Sequence, residues 1–92
     1  MENNKLYSVW ALGFDESYSA NNFERLICEF ETATPAISKL KEIEQNNDTV
    51  KDVLLSAAVA GCRSVEIRAE ALSLDDEEET ELLGSCYIEL FK

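Results

Sequence analysis

Six of the seven residues at 75–81 are acidic, and this run is the part of the sequence best suited to chemistry. The segment reads DDEEETE, and carboxylates at this density bind a cation, attract a basic partner or keep a loop in solution. An EF-hand calcium loop needs alternating oxygen ligands and a glycine at its sixth position, and the run has no glycine. We therefore predict no metal and no other cofactor. A solvated loop is the usual role of such a run, and recognition of a basic partner is the alternative.

Groups that commonly carry out catalysis are scarce in this chain. It has no histidine, which removes the commonest general base and the usual activator of a serine or cysteine nucleophile. The three glycines are isolated and form no phosphate-binding loop. Cys28, Cys62 and Cys86 are odd in number and widely spaced, which predicts reduced buried thiols rather than a disulfide framework or a zinc site. We predict that the protein is not an enzyme.

The charge balance restricts the kind of partner. Nineteen Asp and Glu against eight Lys and Arg give a net charge of −11. Nucleic acids and anionic membranes are bound through Lys and Arg, so we expect direct binding to neither. The 92 residues are 46% hydrophobic, a globular composition, and we expect a single domain over residues 1–92. Because the sequence shows no signal-peptide pattern and no long apolar run, the expected location is the cytoplasm.

Hydrophobic periodicity predicts four strands and two helices. Alternating apolar and polar residues predict strands at residues 6–14, 23–31, 64–74 and 83–91. Apolar residues at helical spacing predict a helix at about 35–45 with Thr34 as its N-cap. A second helix is expected to begin at Asp48 or Thr49 and to end at Gly61; its short apolar run also fits a strand, but its alanines favour helix. The order ββααββ predicts an α+β fold with both helices on one face of a four-stranded antiparallel sheet.

The other face of such a sheet is left open to solvent. Simple alternation places on it Phe23, Arg25, Ile27, Glu66, Arg68, Glu70, Tyr87, Glu89 and Phe91. The first strand is apolar on both sides, and its large aromatic residues Trp10 and Phe14 are expected to pack in a core. A platform for stacked bases is not expected, because such platforms are combined with basic grooves.

Acidic residues define the candidate contact surface. These residues are Asp75, Asp76, Glu77, Glu78, Glu79 and Glu81 in the acidic run, with Asp15, Glu16, Glu29 and Glu31 as a second patch beside the first hairpin. Carboxylates held in a fixed array on a sheet resemble the phosphates of a nucleic acid. They suit a partner whose own ligand is nucleic acid, such as a basic nucleic-acid-binding protein or a nuclease complex.

In its size and excess of acid, the chain resembles the small acidic proteins that phages and other mobile elements carry, among them anti-CRISPR proteins and DNA mimics. The resemblance is one of composition and involves no specific motif. It implies a non-enzymatic inhibitor that binds a basic, nucleic-acid-handling protein of the host. The alternative is a homodimeric structural or adaptor module that pairs through its open sheet face, with the acids serving solubility.

Overall fold

The fold is known from a computed structural model, which describes residues 5–15, 20–73 and 80–90. The elements in these residues are β1 (Lys5–Phe14), β2 (Ala20–Phe30), α1 (Ala33–Gln45), a 3-10 helix (Asn47–Val50), α2 (Lys51–Val59), β3 (Ser64–Ser73) and β4 (Thr80–Glu89). The strands form one antiparallel sheet in the order β2-β1-β3-β4. This confirms the predicted α+β fold and its ββααββ order. The two hairpins meet through β1 and β3, and β2 and β4 lie at the edges.

Both helices pack on one face of the sheet and enclose the core. The buried apolar residues of the strands are Val9, Ala11, Val65, Ile67, Ala69, Ala71 and Ile88. From the helical segment, Ala36, Leu40 and Ile43 of α1 are buried together with Val50 and Ala57. These are every second residue in the strands and one stripe in α1, as the alternation and the helical spacing predict. Within the described residues, neither α-helix has the length and apolar character that crossing a membrane requires.

The helix starts differ from the prediction. α1 begins at Ala33 with Thr32, not Thr34, at the N-cap position, and the Thr32 side chain makes no capping hydrogen bond. The helix can begin before Pro35 because N–H groups in the first turn have no partner within the helix. Before α2, the 3-10 helix is capped by Asn46, whose side chain accepts a hydrogen bond from the Asp48 N–H at 3.1 Å. The helical segment therefore starts slightly earlier than predicted.

Gly61 ends the second helix, as predicted. Its φ is +98°, in the region that favours glycine. The Gly61 N–H donates to the Ala58 carbonyl at 3.1 Å, and the Cys62 N–H donates to the Ala57 carbonyl at 3.0 Å. This is the Schellman pattern of a helix C-terminus, and it turns the chain into β3.

An extra residue interrupts the ladder between β1 and β2. Val9 pairs with Cys28 and Trp10 pairs with Leu26, so Ile27 has no partner on β1 and forms a β-bulge. The β2 residues that precede Ile27 in the sequence therefore lie on the face opposite to the one that a regular strand would give them.

The bulge overturns the predicted faces of three residues in β2. Phe23, Arg25 and Ile27 do not lie on the open face. Arg25 lies on the helix side, where its Nη1 is 3.4 Å from Ser56 Oγ of α2 and its guanidinium is 5.3 Å from the centre of the Phe23 ring. Phe23 and Ile27 both pack against the core. The prediction failed because a period-two pattern carries no mark of one inserted residue.

Candidate functional site

The face of the sheet opposite the helices contains a shallow groove of about 370 Å³. Leu6, Trp10 and Leu12 of β1 contribute its apolar surface. The expectation that Trp10 and Phe14 pack in the core is wrong, because both are only half-buried and lie on this face. The helices cover the other side of β1 and leave these aromatic residues at the surface.

Trp10 is held in a fixed orientation by its own strand. Its indole Nε1–H donates a hydrogen bond to Ser8 Oγ at 3.0 Å, and Ser8 is buried. This bond satisfies the polar edge of the indole without a partner from outside. The ring is therefore already ordered as part of the groove.

Four glutamates occupy the diagonal positions around Trp10 in the ladder. Each of them pairs with Ser8 or Leu12, the residues two positions away from Trp10 on β1. They are Glu24 and Glu29 on β2, and Glu66 and Glu70 on β3. Diagonal neighbours in an antiparallel sheet lie about 7–8 Å apart, within reach of long side chains. The groove thus combines an aromatic centre with carboxylates on both sides.

On the β3 side, Arg68 lies between the two glutamates. Its Nε is 3.1 Å from Glu66 Oε1, and its Nη1 is 3.5 Å from Glu70 Oε2. The Nε–H does not align well with the Glu66 oxygen, so this contact is a close ion pair more than a well-formed hydrogen bond. The pKa of Arg68 is raised above its usual value, mainly by the polar contact with Glu66 and further by the charges of Glu66 and Glu70. Burial of the guanidinium acts in the opposite direction. Arg68 therefore offsets one of the two negative charges on this side of the groove.

The β2 side has no such cation. Leu26 stands opposite Trp10 there, and it is 39% exposed. In the part of the chain that the structure describes, no Lys or Arg lies within ion-pairing distance of Glu24 or Glu29. Both carboxylates are exposed. The negative charge is therefore partly compensated on the β3 side of the groove and uncompensated on the β2 side.

Acidic and basic residues are divided unequally between the two faces. Arg68 is the only cation that the described strands place on the open face, since Lys5 and Arg25 lie on the helix side. The described lysines beyond β1 are Lys39, Lys41 and Lys51, interspersed with Glu42, Glu44, Asp48 and Asp52 on the helical layer. The charge of the helical layer is nearly balanced, whereas the open face has an excess of acid.

Of the predicted contact residues, the structure brings Glu29 to the groove. Glu31 is exposed just after β2, and Asp15 follows β1 with an interaction partner of its own. Glu81 pairs across the ladder with Ala71 on the helix side, and its Oε1 is 3.9 Å from Lys5 Nζ, so it does not belong to the open face. Glu16, Asp75, Asp76, Glu77, Glu78 and Glu79 lie outside the described residues.

Glu24 is the groove residue that the sequence pattern did not predict. Regular alternation in β2 places it beneath the helices with Leu26 and Cys28, on the side opposite to where it lies. Glu24 itself was a sign that the alternation does not hold here. A carboxylate buried beneath the helices without a partner is costly, and a bulge that turns it to the open face removes that cost.

The three cysteines are free thiols, with Cys62 buried and Cys28 and Cys86 half-buried. Burial is the main cause that raises the pKa of each thiol above the usual 9.0. For Cys62 and Cys86, nearby carboxylates raise it further. At neutral pH these side chains are neutral packing groups.

We expect these thiols to react slowly with iodoacetamide near about pH 8 in the folded protein and rapidly in denaturant, because the thiolate is the reactive form. A pKa that folding raises adds stability below the unfolded value near 9.0, and this stability is lost as the pH rises through the folded values. Mass spectrometry of labelled protein and denaturation curves at about pH 8 and about pH 10 measure both effects. Rapid native labelling of Cys62 would contradict its burial.

Among the described residues, no three His, Cys, Asp or Glu side chains are grouped so as to hold a metal ion. No family model, curated protein or solved structure matches this chain.

Proposed function

We propose that the protein is a non-enzymatic inhibitor that binds a basic, nucleic-acid-handling protein through the open face of its sheet. The observation that supports this function is the unequal distribution of charge between the two faces. Among the residues that the structure describes, Glu24 and Glu29 on the open face have no cation within ion-pairing distance, while the lysines of the helical segment lie on the helical layer. Proteins that bind nucleic acid present Lys and Arg in ordered arrays, and this face complements such an array.

The apolar residues of the open face also favour a protein as the partner. Tyr87 is 63% exposed, and its ring centroid is 6.0 Å from that of Phe14. Together with Trp10 and Leu26, these residues supply the apolar centre that protein interfaces surround with polar groups. The acids then serve as the rim, which steers the encounter and selects basic partners.

Inhibitors of this kind are expected among the small acidic proteins of phages and other mobile elements, whose targets include nucleases and CRISPR effector complexes. The acidic run at 75–79 stays a predicted part of the contact surface on the strength of its sequence.

The homodimer is the weaker proposal for this face. Pairing two copies through it would bring the excess acid of both open faces into one interface. Like charges without cations between them disfavour that arrangement. A stable dimer in sedimentation experiments that dissociates on Leu12→Asp would instead support the structural or adaptor function.

The proposed function predicts that the protein displaces labelled duplex DNA from a nuclease or CRISPR effector complex. Its direct binding to that partner, measured without DNA, should weaken about tenfold or more between roughly 50 mM and roughly 300 mM salt, because exposed charges are screened. Neutralising the open face with Glu24→Gln, Glu29→Gln and Glu70→Gln should weaken both this binding and the displacement of DNA about tenfold or more.

The matched control is Glu42→Gln, Glu44→Gln and Asp52→Asn, which changes the net charge equally on the helical layer. We expect this variant to lose less than about threefold. If both triple variants lost the same amount, the location of the acids would be irrelevant and the proposed contact face wrong.

A further inference from the structure

Arg68 shows how this sheet accommodates a guanidinium group. It pairs across the ladder with Trp10 and lies two residues from each of Glu66 and Glu70, whose carboxylates it contacts at 3.1 and 3.5 Å. Arg68 thus has Trp10 as its neighbour across the ladder and one carboxylate on either side along its own strand.

The β2 side of the groove repeats the carboxylates of this arrangement and lacks its cation. Glu24 and Glu29 stand opposite Leu12 and Ser8, the same residues of β1 that Glu66 and Glu70 face from the other side. The backbones of Glu24 and Glu29 are therefore as far apart along the sheet as those of Glu66 and Glu70. Four residues at about 3.3 Å each give a separation of about 13 Å. The position between them is occupied by an apolar residue that is partly exposed, Leu26.

We infer that this side of the groove binds an arginine side chain of the partner, with the guanidinium against Trp10 and between the carboxylates of Glu24 and Glu29. The inference rests on the proposed function and names the side chain that the basic partner presents. The groove of about 370 Å³ is near the lower end of volumes typical of ligand sites, which suits one side chain.

Arginine fits this position better than lysine for three reasons. Its planar guanidinium stacks on an indole, whereas an ammonium is a compact and strongly hydrated charge. Its fork of N–H donors can bond to carboxylates on two sides, as Arg68 contacts two glutamates. Finally, the hydrogen bond from Trp10 to Ser8 already fixes the indole, so binding does not have to order it.

The protein contains one tryptophan, and it lies in this groove, so intrinsic fluorescence reports binding at the site directly. The probes are hexa-arginine and hexa-lysine peptides, which carry equal charge. We expect hexa-arginine to change the Trp10 emission and to bind about five- to tenfold more tightly than hexa-lysine. Equal affinity for both peptides, or no change in emission, would overturn the inference.

Variants locate the site. Glu24→Gln with Glu29→Gln should weaken hexa-arginine binding about tenfold, while Glu42→Gln with Glu44→Gln, which changes the charge equally on α1, should weaken it less than about twofold. An equal loss in both variants would mean that the peptide binds through overall charge only.

The two proposals fail in different ways. If DNA is displaced and the displacement depends on the open-face acids while the two peptides bind equally, the arginine site is wrong and the proposed function stands. If the peptides behave as expected but no nucleic-acid-handling protein is displaced from DNA, the arginine site stands and the proposed class of partner is wrong.

Discussion

Arg68→Met is expected to destabilise the folded protein by about 3 kcal/mol, because it leaves the carboxylate of Glu66 buried without its counter-charge. The Glu66 side chain is 6% exposed, and the Arg68 Nε lies 3.1 Å from its Oε1. The expected loss is at the lower end of the range for broken buried ion pairs, because the Arg68 side chain is 37% exposed and solvent screens part of the interaction. Urea denaturation followed by Trp10 fluorescence measures the change in the free energy of unfolding.

Two further variants separate the charge of Arg68 from its packing. Replacing both partners, as Arg68→Met with Glu66→Leu, should recover most of the lost stability, because removing a whole buried pair is often neutral. Arg68→Lys keeps the charge and should cost less than Arg68→Met. If the double variant is as unstable as Arg68→Met alone, the carboxylate is not the cause of the loss.

Gly13→Ala is expected to cost up to about 3 kcal/mol, because it overpacks the point where β1, β2 and the turn before β3 meet. The added Cβ would collide with Cys62 Sγ and lie 2.9 Å from Phe23 Cβ. Neither atom can move freely, since Cys62 is fully buried and the next residue, Arg63, donates its N–H to the Phe14 carbonyl at 2.8 Å. Thermal or urea denaturation measures the loss.

Gly84→Ala is the matched control for this substitution. Its added Cβ meets the Leu40 Cδ2 at 3.0 Å, and this methyl group is the end of a flexible side chain. We expect a loss below about 1 kcal/mol. Combining Gly13→Ala with Cys62→Ala should recover part of the stability, because it removes one of the two close contacts. If both alanine variants lost the same free energy of unfolding, the prediction would be wrong. β2 and the turn at Cys62 would then move to accept the added methyl group at Gly13.

The pattern of the sequence was sufficient for the central strands and the helices. β1 and β3 pair without interruption over ten residues, so alternation alone groups the residues of each face correctly. For β1, which is apolar on both sides, it did not show which face the helices cover, and Trp10 and Phe14 were wrongly expected in the core. It fails in β2, where Ile27 is an extra residue in the ladder. In β4 the extra residue, Leu83, stands at the start of the predicted strand, so the predicted faces of Tyr87 and Glu89 are correct. A bulge depends on which strand lies beside which, and that information is not local in the sequence.

The candidate site was predictable only in part for the same reason. Glu66, Arg68 and Glu70 are spaced two apart, which places them on one face of any regular strand. The burial of Glu66 could not be predicted, because it depends on the neighbours that the register supplies, Leu12 on β1 and Tyr87 on β4. The groove itself exists only once β2 is paired in its bulged register.

That register also determines the charge at one position of the exposed surface. In a regular ladder, in which Ile27 paired with Trp10, Leu12 would stand opposite Arg25 instead of Glu24. The groove would then hold a cation where it now holds an anion, a difference of two formal charges, and the β2 side would have no net charge with which to attract a guanidinium. A backbone irregularity whose own side chain packs toward the helices thus decides which charge the opposite surface presents beside Leu12.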